Sequence, residues 1–440
     1  MDPHTIFCPN SDCPARGQTG AGNIQVHSRK ERRYKCQVCG KTFTETKGMA
    51  AYRLRTALDV VSLVVALLSH GCPVQAIVFA SQLDERTVMK WHQRAGQHCE
   101  RVHEHLVQRP RDLGQVQADE IRAKKQGGVV WLAMALEVCT RLWLGGVVKA
   151  ERDLGLIQQL IQQVRACALC RPLLFCTDGL RAYVRAIQEV FREPVPTGQA
   201  GRPHLRPWDG VCLAQVVKQY AQRRVVGIVR RIVQGTEAQV QALLGGHLIN
   251  TAYIERLNAT FRARLANLVR RSRALARQTP TLRAAMYLMG TVYNFCTEHK
   301  SLRLPGLFNG HKWIPRTPAL AAGLADHCWT VRELLLYRVP PACGRQAAPL
   351  GPTQAARTTF PTDETTRRSM VYLTTVRCGA TPPRPSCHKT CREATVSRRT
   401  EGQSGTPSGD PGLYGQRDRA EQELPTAEDR QPSAGRCSPG

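Results

Sequence analysis

Hydrophobic and polar positions follow different periods along the chain, and each change of period marks the start of another segment. Residues 58–107 carry apolar side chains at helical spacing and predict three helices. A turn at residues 81–83 separates the second helix from the third, and Asp84 is the predicted N-cap of the third. Within that helix, Val88 and Trp91 are expected to pack inward.

A strand-like pattern begins near residue 115. Three successive strands are predicted at residues 115–120, 129–137 and 142–149. An amphipathic helix capped by Asp153 follows, and then come a short buried strand at 172–176 and a helix at 180–191. This order predicts the mixed α/β fold class, with a sheet covered by helices as in RNase H-like folds.

The next part of the chain predicts a basic insertion and then one long helix. Residues 194–212 are rich in Pro, Gly and Arg and predict a loop. Residues 217–233 combine a basic helical pattern with a β-branched strand pattern, and residues 236–244 predict a short helix. Residues 250–277 predict a single helix that has a narrow apolar stripe and several arginines.

Glu255 is the single acidic residue of this predicted long helix. At roughly 100° per residue, Glu255, Arg262 and Arg273 project in similar directions beside the apolar stripe. No Lys or Arg lies three or four residues from Glu255, so the usual helical salt bridge lacks a partner. This pattern favours Glu255 as a metal ligand beside a nucleic-acid path, and an ordinary surface residue is the alternative.

Composition adds a polyanionic partner to this picture. The chain has 62 Lys and Arg residues against 34 Asp and Glu residues, which gives a formal net charge of +28 spread along its length. Such an excess favours nucleic acid as a partner, and a basic protein without that partner is the alternative. There is no N-terminal signal pattern, and the apolar run 60–68 is too short to cross a bilayer, so no membrane partner is expected.

Cysteine usage and the C-terminal composition complete the domain picture. Eighteen cysteines without an export signal indicate a reducing, cytoplasmic location, in which clustered cysteines bind metal. Residues 301–342 predict a helical C-terminal extension. Residues 343–440 are rich in Pro, Gly, Ser, Thr and Arg without any period and predict a disordered tail.

Four cysteines near the N-terminus have the spacing of a structural zinc site. Cys8 and Cys13 form one pair, Cys36 and Cys39 form the other, and Gly40 permits a tight turn around a thiolate. Four thiolates would leave no open coordination position, so the predicted role is structural. Residues 1–48 are therefore a predicted zinc-binding element, and buried cysteines without a ligand are the alternative.

The three predicted helices at 54–108 have the pattern of a helix-turn-helix. A helix, a short turn and a helix with polar outer positions are typical of such DNA-binding units. Arg86, Lys90 and Arg94 are the side chains expected to contact DNA. A three-helix unit that serves packing alone fits the same pattern.

Three acidic residues stand where a magnesium site could form. Asp119 lies at the end of the first predicted strand, Asp178 directly follows the fourth, and Glu255 lies on the long helix. Convergent carboxylates suit Mg²⁺ or Mn²⁺ and repel one another without a cation. Asp178 alone would also suit a helix cap, and Asp119 a solvated strand edge. Strand alternation sends Asp119 and Glu120 to opposite faces, so only one of them is expected to face the site.

These motifs resemble those of the DDE transposases of bacterial insertion sequences. The segments VQADE, FCTDGLRAYVRAI and INTAYIERLNATFRARLANLVRRSRAL carry the resemblance, which covers about residues 5–340. It implies an RNase H-like catalytic domain at 113–300 with a basic insertion at about 194–248, and Asp119, Asp178 and Glu255 as its metal-binding triad. It also implies that Arg262 contacts the transposon end. The wider spacing of the first cysteine pair and the long segment between Asp178 and Glu255 depart from the family pattern.

The sequence thus predicts a DNA transposase that uses Mg²⁺ to nick transposon ends and join them to target DNA. Double-stranded DNA is the expected partner, a homo-oligomer on DNA the expected assembly, and the prokaryotic nucleoid the expected place. A zinc-containing regulator with an inactive RNase H-like domain, and a nuclease without strand transfer, are the alternatives. Fold alone does not distinguish them.

Overall fold

The computed structural model describes residues 2–169, 171–195, 203–222, 224–269, 279–308 and 310–341. The N-terminal part contains a small antiparallel sheet of three strands, which are β1 (Ile24–Ser28), β2 (Arg33–Cys36) and β3 (Thr42–Thr44). Eight buried side chains form its core, and three of them are the cysteines Cys8, Cys13 and Cys36. So small an apolar core makes the cysteines central to this part of the fold.

Three helices follow, as the apolar pattern predicts. They are α1 (Leu58–Ser69), α2 (Val74–Ser81) and α3 (Glu85–Leu106). The carboxylate of Asp84 caps α3 by accepting the Thr87 N–H, and Val88 and Trp91 are buried. Helix α3 has 22 residues, and its later turns also pack against α8. The apolar run 60–68 lies in α1, and no helix within the described residues is long and apolar enough to cross a membrane.

A six-stranded mixed sheet forms the centre of the protein. Its six strands are β4 (Gln115–Lys125), β5 (Gly128–Glu137), β6 (Trp143–Lys149), β7 (Leu173–Asp178), β10 (Val211–Ala221) and β11 (Arg224–Gln234). The chain between and after these strands forms the helices α4 (Leu154–Cys167), α5 (Arg181–Val190) and α6 (Glu237–Leu244) and a small hairpin of β8 (Arg192–Val195) and β9 (His204–Pro207). The strand order is β11-β10-β7-β4-β5-β6, in which β7 runs parallel to both β4 and β10 and the other neighbours are antiparallel. The mixed α/β class is therefore confirmed.

The last described elements cross or flank this sheet. They are α7 (Ala252–Arg264), α8 (Thr279–Phe295), the hairpin β12 (Leu304–Phe308) and β13 (His311–Ile314), and the short helices α9 (Pro318–Ala321) and α10 (Val331–Leu336). The C-terminal extension therefore contains a hairpin as well as helices. Residues 343–440, predicted as a disordered tail, lie outside the described residues.

Side-chain alternation along the strands divides the core into two layers. Leu132 and Met134 face a layer that contains residues of α3, α7 and α8, whereas Ala133 and Ala135 face the layer of α4 and α5. Helices therefore cover both faces of the sheet, as the order of predicted elements suggested. The helices α1 to α3 share the first of these layers with the sheet, because α3 lies directly against α8.

Two predictions for the basic part of the chain are wrong. For residues 217–233 the strand pattern is confirmed but the helical pattern is wrong, because the described residues of this range form the long antiparallel hairpin of β10 and β11. The segment 250–277 is not one helix, since α7 ends at Arg264 and a single 3-10 turn, Ala266–Leu268, follows it. Leu265 leaves the helical conformation, and Leu265 and Leu268 are both buried. An apolar stripe at helical spacing therefore does not require a continuous helix.

The contact between α3 and α8 depends on a residue without a side chain. A Cβ atom on Gly96 would overlap the backbone carbonyl group of Ala284 in α8. Backbone atoms of a packed helix cannot move aside as the end of a flexible side chain can. The two helices approach each other this closely only because residue 96 is glycine.

We expect Gly96→Ala to destabilise the protein by about 1–3 kcal/mol, because the overlap outweighs the better helix propensity of alanine. Thermal unfolding measures the effect. Gly155→Ala is the matched control, since its added methyl group would meet mainly the flexible end of Lys149. A Gly96→Ala protein as stable as the Gly155→Ala protein would contradict this account of the helix contact.

Candidate metal centres

The four predicted cysteines come together at the edge of the N-terminal sheet. Their sulfur atoms all lie within 4.8 Å of one another. Sγ of Cys8 lies 3.6 Å from Sγ of Cys39, and Sγ of Cys13 lies 3.8 Å from Sγ of Cys36. Tetrahedral zinc with Zn–S bonds of about 2.3 Å requires sulfur atoms about 3.8 Å apart, so this cluster could hold zinc.

Local backbone geometry prepares these cysteines for a cation. Gly40 has φ of 67°, and its N–H donates to the carbonyl of Cys36 at 2.9 Å, which closes a tight turn around the second pair. A hydrogen bond from the backbone of Lys41 lowers the pKa of Cys39 to about 7, whereas burial raises the pKa of Cys8 to about 12. The turn thus favours the thiolate of Cys39, whereas a metal ion would be needed to deprotonate Cys8.

The second cluster lies at the edge of the central sheet where β7 ends. Asp178 is the last residue of β7, and the pairing of β7 with β4 ends at Thr177 and Ala118. Asp119 is therefore the first residue of β4 beyond that pairing. The prediction that Asp119 ends its strand is wrong, because β4 continues to Lys125 in its pairing with β5.

Asp119 faces α7 and is mostly buried. Its Oδ2 accepts the side-chain amide of Asn258 at 2.8 Å, and its Oδ1 accepts the backbone N–H of Glu120 at 2.8 Å. Burial, and then the negative charge of Glu120, raise the pKa of Asp119 to about 7. The site therefore disfavours its own negative charge in the absence of a cation.

Glu120 projects to the other side of β4, as alternation requires, but its carboxylate still reaches the cluster. Oxygen atoms of Asp119, Glu120 and Asp178 lie within 4.8 Å of one another. The expectation that only one of the first two faces the site is therefore wrong. Since β7 ends at this level, no neighbouring strand separates the two faces of β4 beside Asp178.

Arg152 holds Glu120 in place. Its guanidinium donates from Nε and Nη2 to Oε2 of Glu120 at 3.1 and 2.7 Å, and Nη2 also reaches Oδ2 of Asp178 at 3.3 Å. The side chain of Glu120 is only 1% exposed, and burial raises its pKa. Burial, and then the negative charge of Glu120, also raise the pKa of the neighbouring Tyr183. A buried carboxylate paired in this way suits a structural partner of Arg152 better than a free metal ligand.

Glu255 lies on the first turn of α7 and lines the same cavity as Asp119 and Asp178, which has a volume of about 370 Å³. It lies outside the group of carboxylates within 4.8 Å. Its Oε1 accepts a hydrogen bond from Nζ of Lys218 at 2.7 Å and another from Thr251 at 3.1 Å. The statement that Glu255 lacks a cationic partner is therefore wrong, because the partner comes from β10 and not from the same helix.

A buried amide that sequence reasoning missed fixes α7 against β4. Oε1 of Gln117 accepts the N–H groups of Tyr253 and Ile254, each at 3.0 Å, and its Nε2 donates to the carbonyl of Asn250 at 2.8 Å. Gln117 stands two residues before Asp119 and so faces the same side of β4. A polar residue between Val116 and Ala118 in a strand was the available signal.

The predicted DNA-contacting side chains have different environments. Arg86 and Lys90 are exposed on α3. Arg94 is half-buried and donates a hydrogen bond to the backbone carbonyl of Tyr52, so it is less available to contact DNA than they are. Arg262 is half-buried on α7, and Arg273 lies outside the described residues. Because α7 ends at Arg264, the predicted alignment of Arg262 with Arg273 along one helix does not hold.

Comparison with models of known protein families and with curated protein sequences finds no match to this chain. The resemblance to DDE transposases therefore depends on the motifs and on their arrangement.

We expect divalent metal binding at the acidic cavity to weaken below about pH 7. The pKa of Asp119 is raised to about 7, so below that pH a proton competes with the metal. The affinity should fall about fivefold between pH 7 and pH 6, whereas a carboxylate of ordinary pKa would give almost no change. Titration calorimetry with Mg²⁺ or Mn²⁺ at several pH values measures this.

Glu137→Gln is the matched control for that titration. Burial also raises the pKa of Glu137 to about 7, but this residue pairs with Val116 at the other end of the β4–β7 pairing. The control protein should keep the pH dependence of the wild type. An affinity that stays constant between pH 6 and 8 would contradict the environment described for Asp119.

Proposed function

We propose that this protein is a DNA transposase of the DDE type. The observation that carries the proposal is that Asp119, Asp178 and Glu255, which come from three distant parts of the chain, line one cavity. Three antiparallel strands, a helix, a parallel strand and a helix precede α7, which supports an RNase H-like domain. Asp119 and Asp178 lie on adjacent parallel strands, and α7 brings Glu255 to the same opening.

The charges of the cavity support a divalent cation there. Within the described residues, four carboxylates, those of Asp119, Glu120, Asp178 and Glu255, face two cations, Arg152 and Lys218. With every group ionised, two negative charges remain, and carboxylate oxygens are preferred ligands of Mg²⁺ and Mn²⁺. Bound metal would lower the pKa of an attacking hydroxyl and stabilise the leaving oxygen of an in-line displacement at phosphorus.

The reaction assigned to this cavity is phosphodiester transfer. In the first step the oxygen of water forms a bond to phosphorus, the bond from phosphorus to the 3′ oxygen breaks, and that oxygen takes up a proton. In the second step the new 3′-hydroxyl loses its proton and attacks a phosphodiester of target DNA, which releases another 3′-hydroxyl. The two steps differ only in the attacking oxygen and use the same residues.

Arg152 and Lys218 are the protein's own cations for this chemistry. Glu120 holds Arg152 through two hydrogen bonds, so the guanidinium would keep its position if Asp178 released it to bind a metal ion. Lys218 would leave Glu255 when that carboxylate binds metal. Both side chains line the cavity and would then contact the negatively charged oxygens of the phosphate.

We also assign zinc to the cysteine cluster and transposon DNA to the N-terminal part of the protein. The sulfur distances fit a tetrahedral ion. Arg86 and Lys90 are exposed at the start of α3, where a helix-turn-helix would present them to double-stranded DNA. Strand transfer of two transposon ends would require a homo-oligomer on DNA.

Asp178→Ala should abolish cleavage, at least 100-fold, and leave DNA binding intact, because it removes a metal ligand at the cavity and no DNA-facing cation. Gel analysis of a duplex that carries the element's own flanking sequences, with Mg²⁺ or Mn²⁺, measures cleavage and joining. The control is Asp209→Ala, an exposed residue before β10.

Metal-dependent cleavage that persists in the Asp178→Ala protein would overturn the assignment of the cavity. Cleavage by the wild type without a joined product would identify a nuclease instead. Sequence-specific binding without any cleavage would favour the regulator.

Cys36→Ser should remove zinc and unfold β1–β3, because three thiolates and a small apolar core cannot hold this part together. Zinc content and limited proteolysis near residue 30 measure the two effects. Cys139→Ser, at an exposed cysteine of the β5–β6 turn, should keep both as in the wild type. A Cys36→Ser protein with a full equivalent of tightly bound zinc would contradict the zinc assignment.

A further inference from the structure

A basic surface lies between the N-terminal sheet and α3, away from the acidic cavity. Two neighbouring cavities of about 580 and 590 Å³ share Gly48 and Arg101 and form one continuous depression, which we call the N-terminal groove. Five cations line it: Arg16, Lys47, Arg94, Arg101 and Arg109. The N-terminal element, the segment after it and α3 each contribute to this set, so the groove exists only in the folded protein.

The basic residues of the groove are not paired with acids. Within the described residues none of the five makes a salt bridge, whereas the exposed arginines Arg185, Arg206 and Arg283 each contact a carboxylate. Arg101 and Arg109 contact the imidazoles of His98 and His105 instead. Burial lowers the pKa of both histidines, so these neighbours are neutral and do not offset the arginine charges.

A single acidic residue, Glu104, faces the five cations of the groove, so a net positive charge remains. Glu104 lies beside Arg101 and His105, and burial, followed by the charge of Glu100, raises its pKa. Burial and the charge of Arg101 lower the pKa of Arg94. Like charges are therefore brought together in a partly buried place, an arrangement that an anion would stabilise.

Spacing along α3 indicates the size of that anion. Arg94 and Arg101 are seven residues apart, so they face the same side of the helix with a rise of about 10 Å. That length corresponds to roughly three phosphates along one DNA strand. A single phosphate would leave most of the groove empty, whereas a sugar-phosphate backbone would contact the cations in succession.

We infer that the N-terminal groove binds the sugar-phosphate backbone of double-stranded DNA, independently of sequence. It would hold the duplex beside Arg86 and Lys90, which lie one to two turns before Arg94 on α3 and are exposed, so that they can face the bases. Arg94 belongs to this groove. The inference rests on the proposed function for its choice of DNA over another polyanion.

The test is the salt dependence of DNA binding. The zinc-loaded full chain with Asp178→Ala is titrated onto a fluorescent 30-base-pair duplex of arbitrary sequence, without Mg²⁺, between about 50 and 200 mM salt. Adding Arg101→Gln and Arg109→Gln should weaken binding about tenfold or more and reduce the slope of log affinity against log salt by about 2. Zinc content and circular dichroism verify the fold of each protein.

Arg283→Gln is the matched control, because Arg283 is exposed, lies beside α3 and is paired with Glu100. Its slope should equal that of the parent protein. An unchanged slope in the double variant, or an equal change in the control, would overturn the inference. If the double variant loses binding to a poly-glutamate peptide and keeps its DNA slope, the groove binds an acidic protein segment and the DNA assignment is wrong.

Failure of the proposed function gives a different result. A wild-type protein that never cleaves DNA, combined with the expected loss of slope, would overturn the transposase assignment and support the groove. Cleavage and joining by the wild type, combined with an unchanged slope, would overturn the groove alone.

Discussion

The side-chain amide of Gln117 is the contact on which the acidic cavity depends. The first N–H groups of any helix lack partners within the helix, and at the start of α7 Gln117 accepts two of them in a buried place. Leaving such groups without hydrogen bonds would be costly, so α7 is held to β4 at this point. Because Asp119 follows two residues later on the same side, one amide sets where the carboxylates of two distant segments meet.

Asn258 adds a second contact between the same two elements. It is three residues after Glu255 on α7 and donates to Oδ2 of Asp119 at 2.8 Å. The helix therefore contributes a carboxylate at its first turn and an amide one turn later. Both amides act on the α7 side of β4, whereas Arg152 acts on Glu120 from the opposite side. Hydrogen bonds from both sides of β4 therefore hold the carboxylates of Asp119 and Glu120 in position.

Local patterns predicted the elements whose burial leaves a signal in the sequence. The helices α3, α4 and α6 each bury one face, so their period appears in the sequence. The strands β5, β6 and β7 are buried on both faces along most of their length, and their short apolar runs identified them. A helix was wrongly included in the prediction for 217–233 because β11 is an edge strand with exposed residues on both faces, so its arginines and valines carry no alternation. The end of α7 was missed because the buried leucines after it fit either a helix or a turn.

The candidate site was predicted in part, for a related reason. Motifs identified Asp119, Asp178 and Glu255, since each lies within a short recognisable segment. Arg152 is separated from Glu120 by 32 residues and Lys218 from Glu255 by 37, and no spacing rule connects such pairs. Considering only the helix of Glu255 led to the wrong conclusion that it had no cation nearby. Partners that depend on strand order become visible only when the sheet is assembled.

The ion pairs of Arg152 and Lys218 also set how the acidic cavity relates to folding. Both cations already offset carboxylate charge, so the sheet can form without a divalent ion. The cysteine cluster has no such internal substitute, and its sheet has a core of only eight buried side chains. Zinc would therefore belong to the folding equilibrium of the chain, whereas magnesium would act on a protein that is already folded. Zinc supply would set the amount of native protein, and magnesium would set its reactivity.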